Sequence, residues 1–305
     1  MTSKLVVTQL KLLFAACVLI GLAYWVHHQY GWRSTLQIWS GVSSWQIVLG
    51  ALLVIGSHIA RVWRVHFAYS TQQPVSFTST MAVSFVHTNV SFLLPMRLGE
   101  LVLPTLSRHQ LNVDFRFASA TLLLIRLFDI HVLLCLLSFF IGGFWFGEYA
   151  FLTPLLLIIG LPIGVKLMYF VSNRIKFLRF ATTLVDDNRT WFFIYTQTVV
   201  IWLTKLSALA MLAAALGNLP ITHAWIGTIF ADSSALSPVT GFANAGTFEL
   251  AFSMPLMPLG YELAPLVKVA VNVHIFIFII NICVGTAGFL MLKAKPTPHP
   301  RPKEA

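Results

Sequence analysis

The chain has 305 residues, of which 57% are hydrophobic and only 10% charged, and its formal net charge is +10. An ordinary soluble domain carries about 25% charged residues, so a chain this sparsely charged cannot cover a soluble surface. Composition excludes a cytosolic enzyme, a disordered chain and a coiled coil, and leaves a polytopic membrane protein whose lipid-facing surface needs no charge.

Lys4 and Lys11 precede an apolar run from Leu12 to Val26. This resembles a signal peptide, but no small-x-small cleavage site follows, and cleavage at Cys17 would fall inside the run. The segment therefore reads as a retained first span. Six segments are long and apolar enough to cross a bilayer at about 1.5 Å per residue: 8–27, 45–63, 117–141, 149–170, 191–216 and 263–292. Residues 75–107 and 221–260 are apolar but interrupted, the first by Pro95, Gly99 and Pro104, the second by Pro238, Gly241, Gly246, Pro255 and Pro258. Broken helices survive at membrane depth only where protein or a water-filled cavity surrounds them. Both stretches read as re-entrant helical hairpins. The predicted fold is all-α, with six full spans plus two re-entrant hairpins.

With the N-terminus in the cytoplasm, fourteen of the twenty Lys and Arg fall in cytoplasmic segments, Arg61, Arg64 and the basic cluster within 174–189 among them, and only Arg33 falls outside. This satisfies the positive-inside rule, and replacing the first hairpin by a full span, alone or together with the second, places the 174–189 cluster on the wrong side. Both termini are thus expected in the cytoplasm, at the plasma (inner) membrane. The element order is span, span, hairpin, span, repeated in the opposite orientation. Residues 1–292 form one transmembrane domain of two inverted repeats, about 1–141 and 149–292, and 293–305 a cytoplasmic tail. Such repeats place a substrate site near mid-membrane, where the broken helices meet.

A charge at the bilayer centre costs about 2.5–3.5 kcal/mol on insertion scales, so each one needs a partner or an aqueous cavity. Arg126 and Asp129 share a helical face at i, i+3 and are either a structural ion pair or part of a substrate path. In the first hairpin, Asn89 leads to a break at Leu94-Pro95. Arg97 and Glu100 follow it, flanking a site for an anionic head group or pairing with each other or with Arg126 and Asp129. In the second, Asp232 precedes and Glu249 follows the break, with Lys205 and Lys268 as candidate partners, or with Lys268 snorkelling to the outer interface instead. These eight residues of the expected substrate site, Asn89, Arg97, Glu100, Arg126, Asp129, Lys205, Asp232 and Glu249, include charges of both signs. The core balances Arg97, Arg126, Lys205 and Lys268 against four carboxylates, which leaves the substrate's charge open. His87, His131 and His274 lack metal-ligand spacing. Cys17, Cys135 and Cys283 lie in apolar runs without a metal or disulfide pattern. Neither a P-loop nor a nucleophile elbow occurs, so no catalytic residue, metal or cofactor is expected.

Asn89…Leu94-Pro95-x-Arg97-x-Gly99-Glu100, then Arg126-Leu-Phe-Asp129, then Pro238…Gly241…Gly246-Thr-Phe-Glu249, resemble the lysylphosphatidylglycerol synthase transmembrane regions, or flippase-like domain proteins, over roughly residues 10–292. The second hairpin departs from the family pattern: Pro238-Val-Thr-Gly241 stands where Pro-Gly-Gly is common. In the family's two-domain enzymes a soluble domain aminoacylates phosphatidylglycerol and the membrane part moves the product. Here about 13 residues follow the last span, too few for a synthase domain. The resemblance therefore implies lipid translocation without synthesis: a flippase for a phospholipid, lipid-linked sugar or related amphiphile, and not an enzyme. Two alternatives stand beside it. One is a membrane enzyme using Glu100, Asp129 or Glu249 as acid or base. The other is a non-catalytic partner of a lipid-modifying synthase or glycosyltransferase. Membrane lipids are the expected partners, and nucleic acid is not.

Overall fold

A computed structural model describes residues 2–95, 98–175, 179, 182–236 and 241–294, with side chains for all of these except 2–12, 14, 15, 144, 145 and 236. The described chain is helical, without a strand. In order its α-helices are α1 (Thr2–Gln29), α2 (Trp32–Gln37), α3 (Ser44–Ser70), α4 (Phe77–Leu93), α5 (Val102–Leu111), α6 (Phe115–Phe146), α7 (Leu152–Arg174), α8 (Thr182–Asp186), α9 (Asn188–Gly217), α10 (Ile221–Ser233), α11 (Thr247–Ser253) and α12 (Leu263–Lys293). Five stretches among the described residues are long and apolar enough to cross a membrane: Ser44–Ser70, Phe115–Gly143, Gly147–Arg174, Asn188–Gly217 and Leu263–Lys293. The segment expected as a first span is the 28-residue helix α1.

Local chemistry sets the helix ends. The Asp114 carboxylate accepts from the backbone N–H groups of Arg116 and Phe117 at 2.8 and 3.1 Å and so starts α6. Asp187 does the same for α9 through Arg189 and Thr190. These bonds satisfy donors that a helix start leaves orphaned. Asn112 and Asn218 close α5 and α9 in the left-handed conformation, at φ 55° and 49°, which Asn tolerates better than most side chains.

Helix α3 lies along α9, α4 along α12, and α10 against both α6 and α9. Small residues permit these approaches, as membrane helices require. A Cβ on Gly50 of α3 would sit 3.1 Å from Leu212 Cδ1 of α9, and one on Gly288 of α12 would sit 2.7 Å from Phe85 Cβ of α4. The Asn89 side chain of α4 fills the space that a side chain on Gly285 would need. One core cluster unites the C-terminal half of α9 with α10, α11 and α12, and another unites α3, α5, α6 and the N-terminal half of α9. Helix α7 buries only Leu161, Val165 and Ser172; Leu156, Ile159 and Ile163 face outward, as lipid-facing residues would.

Candidate functional site

Both interrupted segments break where the sequence places Pro and Gly. Helix α4 stops at Leu93, and Leu94 is extended at φ −79°, ψ 131°, the backbone that a following proline enforces. Met96 and Arg97 lie outside the described residues. The chain then doubles back so tightly that a Cβ on Gly99 would lie 2.5 Å from Ser91 Cα. In the second hairpin α10 ends at Ser233, and Pro238 lies outside the described residues. Ala243, Asn244 and Gly246 adopt φ of 49°, 64° and 80° before α11 begins. The two breaks meet: Leu94 and residues 242, 243 and 245 line one apolar pocket.

Charged side chains converge beside this meeting point. Arg126 Nη2 donates to Glu100 Oε1 at 2.7 Å, and Arg126 Nη1 to Asp129 Oδ2 at 3.0 Å. Asp129 is fully buried. Its Oδ1 also accepts from Arg64 Nη1 at 2.8 Å and from Trp202 Nε1 at 3.0 Å. Arg64 Nη1 reaches Thr198 Oγ1 at 2.8 Å as well. Asp129 thus ties α3, α6 and α9 together. Lys205 Nζ donates to both carboxylate oxygens of Asp232 at 2.7 Å, joining α9 to α10. Arg126 and Glu100 keep about a fifth of their side chains exposed, which marks them as wall groups rather than sealed ones.

Two expectations from sequence need correction. Arg61 and Arg64 are not cytoplasmic surface charges: Arg64 is buried against Asp129, and both line the interior. Helix α3 runs on to Ser70, seven residues past the predicted end of the span, and carries both arginines into the core. The cytoplasmic tally of fourteen basic residues falls to twelve. Neither Lys205 nor Lys268 pairs with Glu249. Lys205 holds Asp232, while Lys268 Nζ bonds Ser34 Oγ at 3.1 Å and lies over the Tyr30 ring.

Glu249 has a different partner. Its Oε2 accepts from Gly246 N at 2.7 Å, capping its own helix, and its Oε1 lies 2.7 Å from His274 Nδ1. His274 Nε2 lies 2.7 Å from the Ala243 carbonyl oxygen. A carbonyl can only accept, so Nε2 carries a proton. The contact between Nδ1 and Oε1 then holds one further proton, on the carboxyl or on the imidazole. This unit sews the second break to α12.

A cavity of about 160 Å³ opens between the hairpins. Glu100, Arg126, Lys205 and Asp232 line it, together with His58, Arg61, Arg64, His87 and Trp202, which the sequence reading did not select as site residues. Asp129 lies behind its wall, Asn89 is wedged against Gly285, and Glu249 faces the neighbouring apolar pocket of about 440 Å³. The spacing Arg61-x-x-Arg64 on one face of α3 was the signal for the missed arginines; their burial depends on where the helix ends. Among the described residues no three His, Cys, Asp or Glu side chains converge to hold a metal.

The family model described as the lysylphosphatidylglycerol synthase TM region matches residues 9–285. No curated protein and no solved structure matches the chain.

Proposed function

We propose, since this chain belongs to the lysylphosphatidylglycerol synthase TM-region family, that its lipid-related role is to carry an amphiphilic lipid between leaflets, acting as a flippase rather than as an enzyme. The observation that carries this reading is the charged cavity between two broken hairpins, with an apolar pocket beside it. A charged head group crosses hydrocarbon only at high cost, and a cavity walled by Glu100, Arg126, Lys205 and Asp232 replaces its hydration. The helix pairings fit two inverted repeats: α3 lies on its counterpart α9, and the α4–α12 contact is mirrored by α10 on α6. Rocking one repeat against the other would move the opening between leaflets. We place the termini in the cytoplasm, at the inner membrane, from the twelve remaining basic residues on that side. Selective labelling of cysteines introduced at 108–116 from the cytoplasmic face tests this orientation.

The functional test is reconstitution in liposomes with head-group-labelled phospholipids, aminoacyl lipids and polyprenyl-linked sugars, scored by quenching in the outer leaflet. Wild type accelerates transfer of at least one class over protein-free vesicles, and Arg126→Gln with Glu100→Gln slows it at least tenfold. Transfer of no class contradicts the reading and favours a partner of a lipid-modifying synthase or glycosyltransferase.

A further inference from the structure

The cavity's charges do not cancel. Arg64, Arg126 and Lys205 are ion-paired with Asp129, Glu100 and Asp232. Arg61 also lines the cavity, and among the described residues it has no carboxylate within ion-pair distance. Its guanidinium carbon lies 5.7 Å from the centre of the Trp202 ring, a cation–π contact that offsets only part of the cost of desolvation. Arg61 is half-buried, and charges withdrawn from water are ordinarily paired, so a cation that faces a cavity with no ion-pair partner among the described residues calls for a counter-charge.

Independent of charge, the same wall carries polar atoms without partners. His58 is 4% exposed, and neither of its ring nitrogens makes a hydrogen bond. Arg61 Nε, Arg64 Nε, Ser84 Oγ and Ser91 Oγ are likewise buried and unbonded. Buried polar groups are nearly always satisfied, and each exception needs an explanation. Every one of these side chains can donate a hydrogen bond, and the arginine nitrogens can do nothing else. About 10–15 Å³ of such space holds one water, so a cavity of about 160 Å³ accommodates a tetrahedral oxyanion. Leu94 lines both this cavity and the apolar pocket walled by Leu22, Val26, Ile275 and Phe278, so the charged and apolar spaces adjoin across one apolar residue.

We propose that Arg61 and His58 form an oxyanion site that takes the phosphate of a lipid, with the lipid's alkyl chain in the apolar pocket beyond Leu94. This site rests on the lipid-transfer reading and narrows its substrate to phosphate-bearing lipids. The cation left without an ion pair among the described residues, the row of donors and the adjoining apolar pocket together describe a ligand that is acceptor-rich and anionic at one end and apolar at the other.

The test is equilibrium binding to the full chain in neutral detergent, read by native mass spectrometry, with dioleoyl phosphatidate, dioleoylglycerol and inorganic phosphate as probes. Phosphatidate binds at least tenfold more tightly than dioleoylglycerol, and millimolar inorganic phosphate does not displace it. Arg61→Gln weakens phosphatidate tenfold or more, while Arg61→Lys retains most of the affinity. Thermal stability of unliganded Arg61→Gln stays level or rises, since the variant loses an unpaired charge, and this separates lost binding from lost folding. Equal binding of phosphatidate and dioleoylglycerol overturns the proposal, as does an unaffected Arg61→Gln. Displacement by inorganic phosphate overturns the lipid assignment in favour of a free anion. Because binding needs no transport, the two readings fail separately. Tight phosphatidate binding with no lipid movement in vesicles sinks the flippase alone, and movement of phosphate-free lipids without phosphatidate binding sinks the site alone.

Discussion

Asp129 accepts hydrogen bonds from Arg64, Arg126 and Trp202 and is fully buried behind the cavity wall, which closes it to a substrate. Its work is to hold three helices in register. Removing one member of a buried ion pair costs about 3–5 kcal/mol, because the partner's charge is left uncompensated. Asp129→Asn should therefore lower the thermal midpoint in detergent sharply. Adding Arg64→Met should recover much of the loss, and a double-mutant cycle measures the coupling. The Glu249–His274 unit predicts an asymmetry. Gln at 249 can still accept from Gly246 N–H and donate to His274 Nδ1, so Glu249→Gln should stay close to wild type in stability. His274→Ala strands a carboxyl group that is 2% exposed and should destabilise by roughly 2–4 kcal/mol, in the range for breaking a buried charged contact. Equal midpoints for these two variants would remove the assignment. Sequence made Arg126, Asp129 and Glu100 visible because a charge inside an apolar run stands out. It could not pair Glu249 with His274, since the two lie 25 positions apart on different helices and the lysines stood as the expected partners.

At the scale of elements, hydropathy located the long helices and proline located the breaks, because both effects act within a few residues. What it misjudged was the length of α3. A span read as ending at residue 63 continues to Ser70, since the burial of Arg64 against Asp129 removes the usual reason for a helix to surface at its basic residues. The α4–α12 crossing was also hidden, as a Gly285/Gly288 pair signals close approach without naming the partner. Asn89 occupies the space above Gly285, so even Gly285→Ala must push the helices apart. Overpacking of this kind costs about 1–3 kcal/mol. The variant should melt earlier in detergent, and Asn89→Gly in the same chain should restore part of the loss. Unchanged stability of Gly285→Ala would mean that the two helices pack less tightly.

Across the described interior, the two carboxylates that line the cavity, Glu100 and Asp232, are each paired with a cation. Among the described residues Arg61 is left facing that cavity, which an apolar pocket borders. If lipid head groups pass this way, the cavity is a path and not a packing defect. Thr88 lines it from α4 and is partly exposed to it, so it can report on the path directly. The decisive measurement is lipid transfer in liposomes by Thr88→Cys, on a background with Cys17, Cys135 and Cys283 replaced, before and after reaction with a sulfonated methanethiosulfonate. A path through the cavity predicts near-wild-type transfer before reaction and its loss afterwards, with reducing agent restoring it. Complete modification with transfer undiminished would contradict such a path.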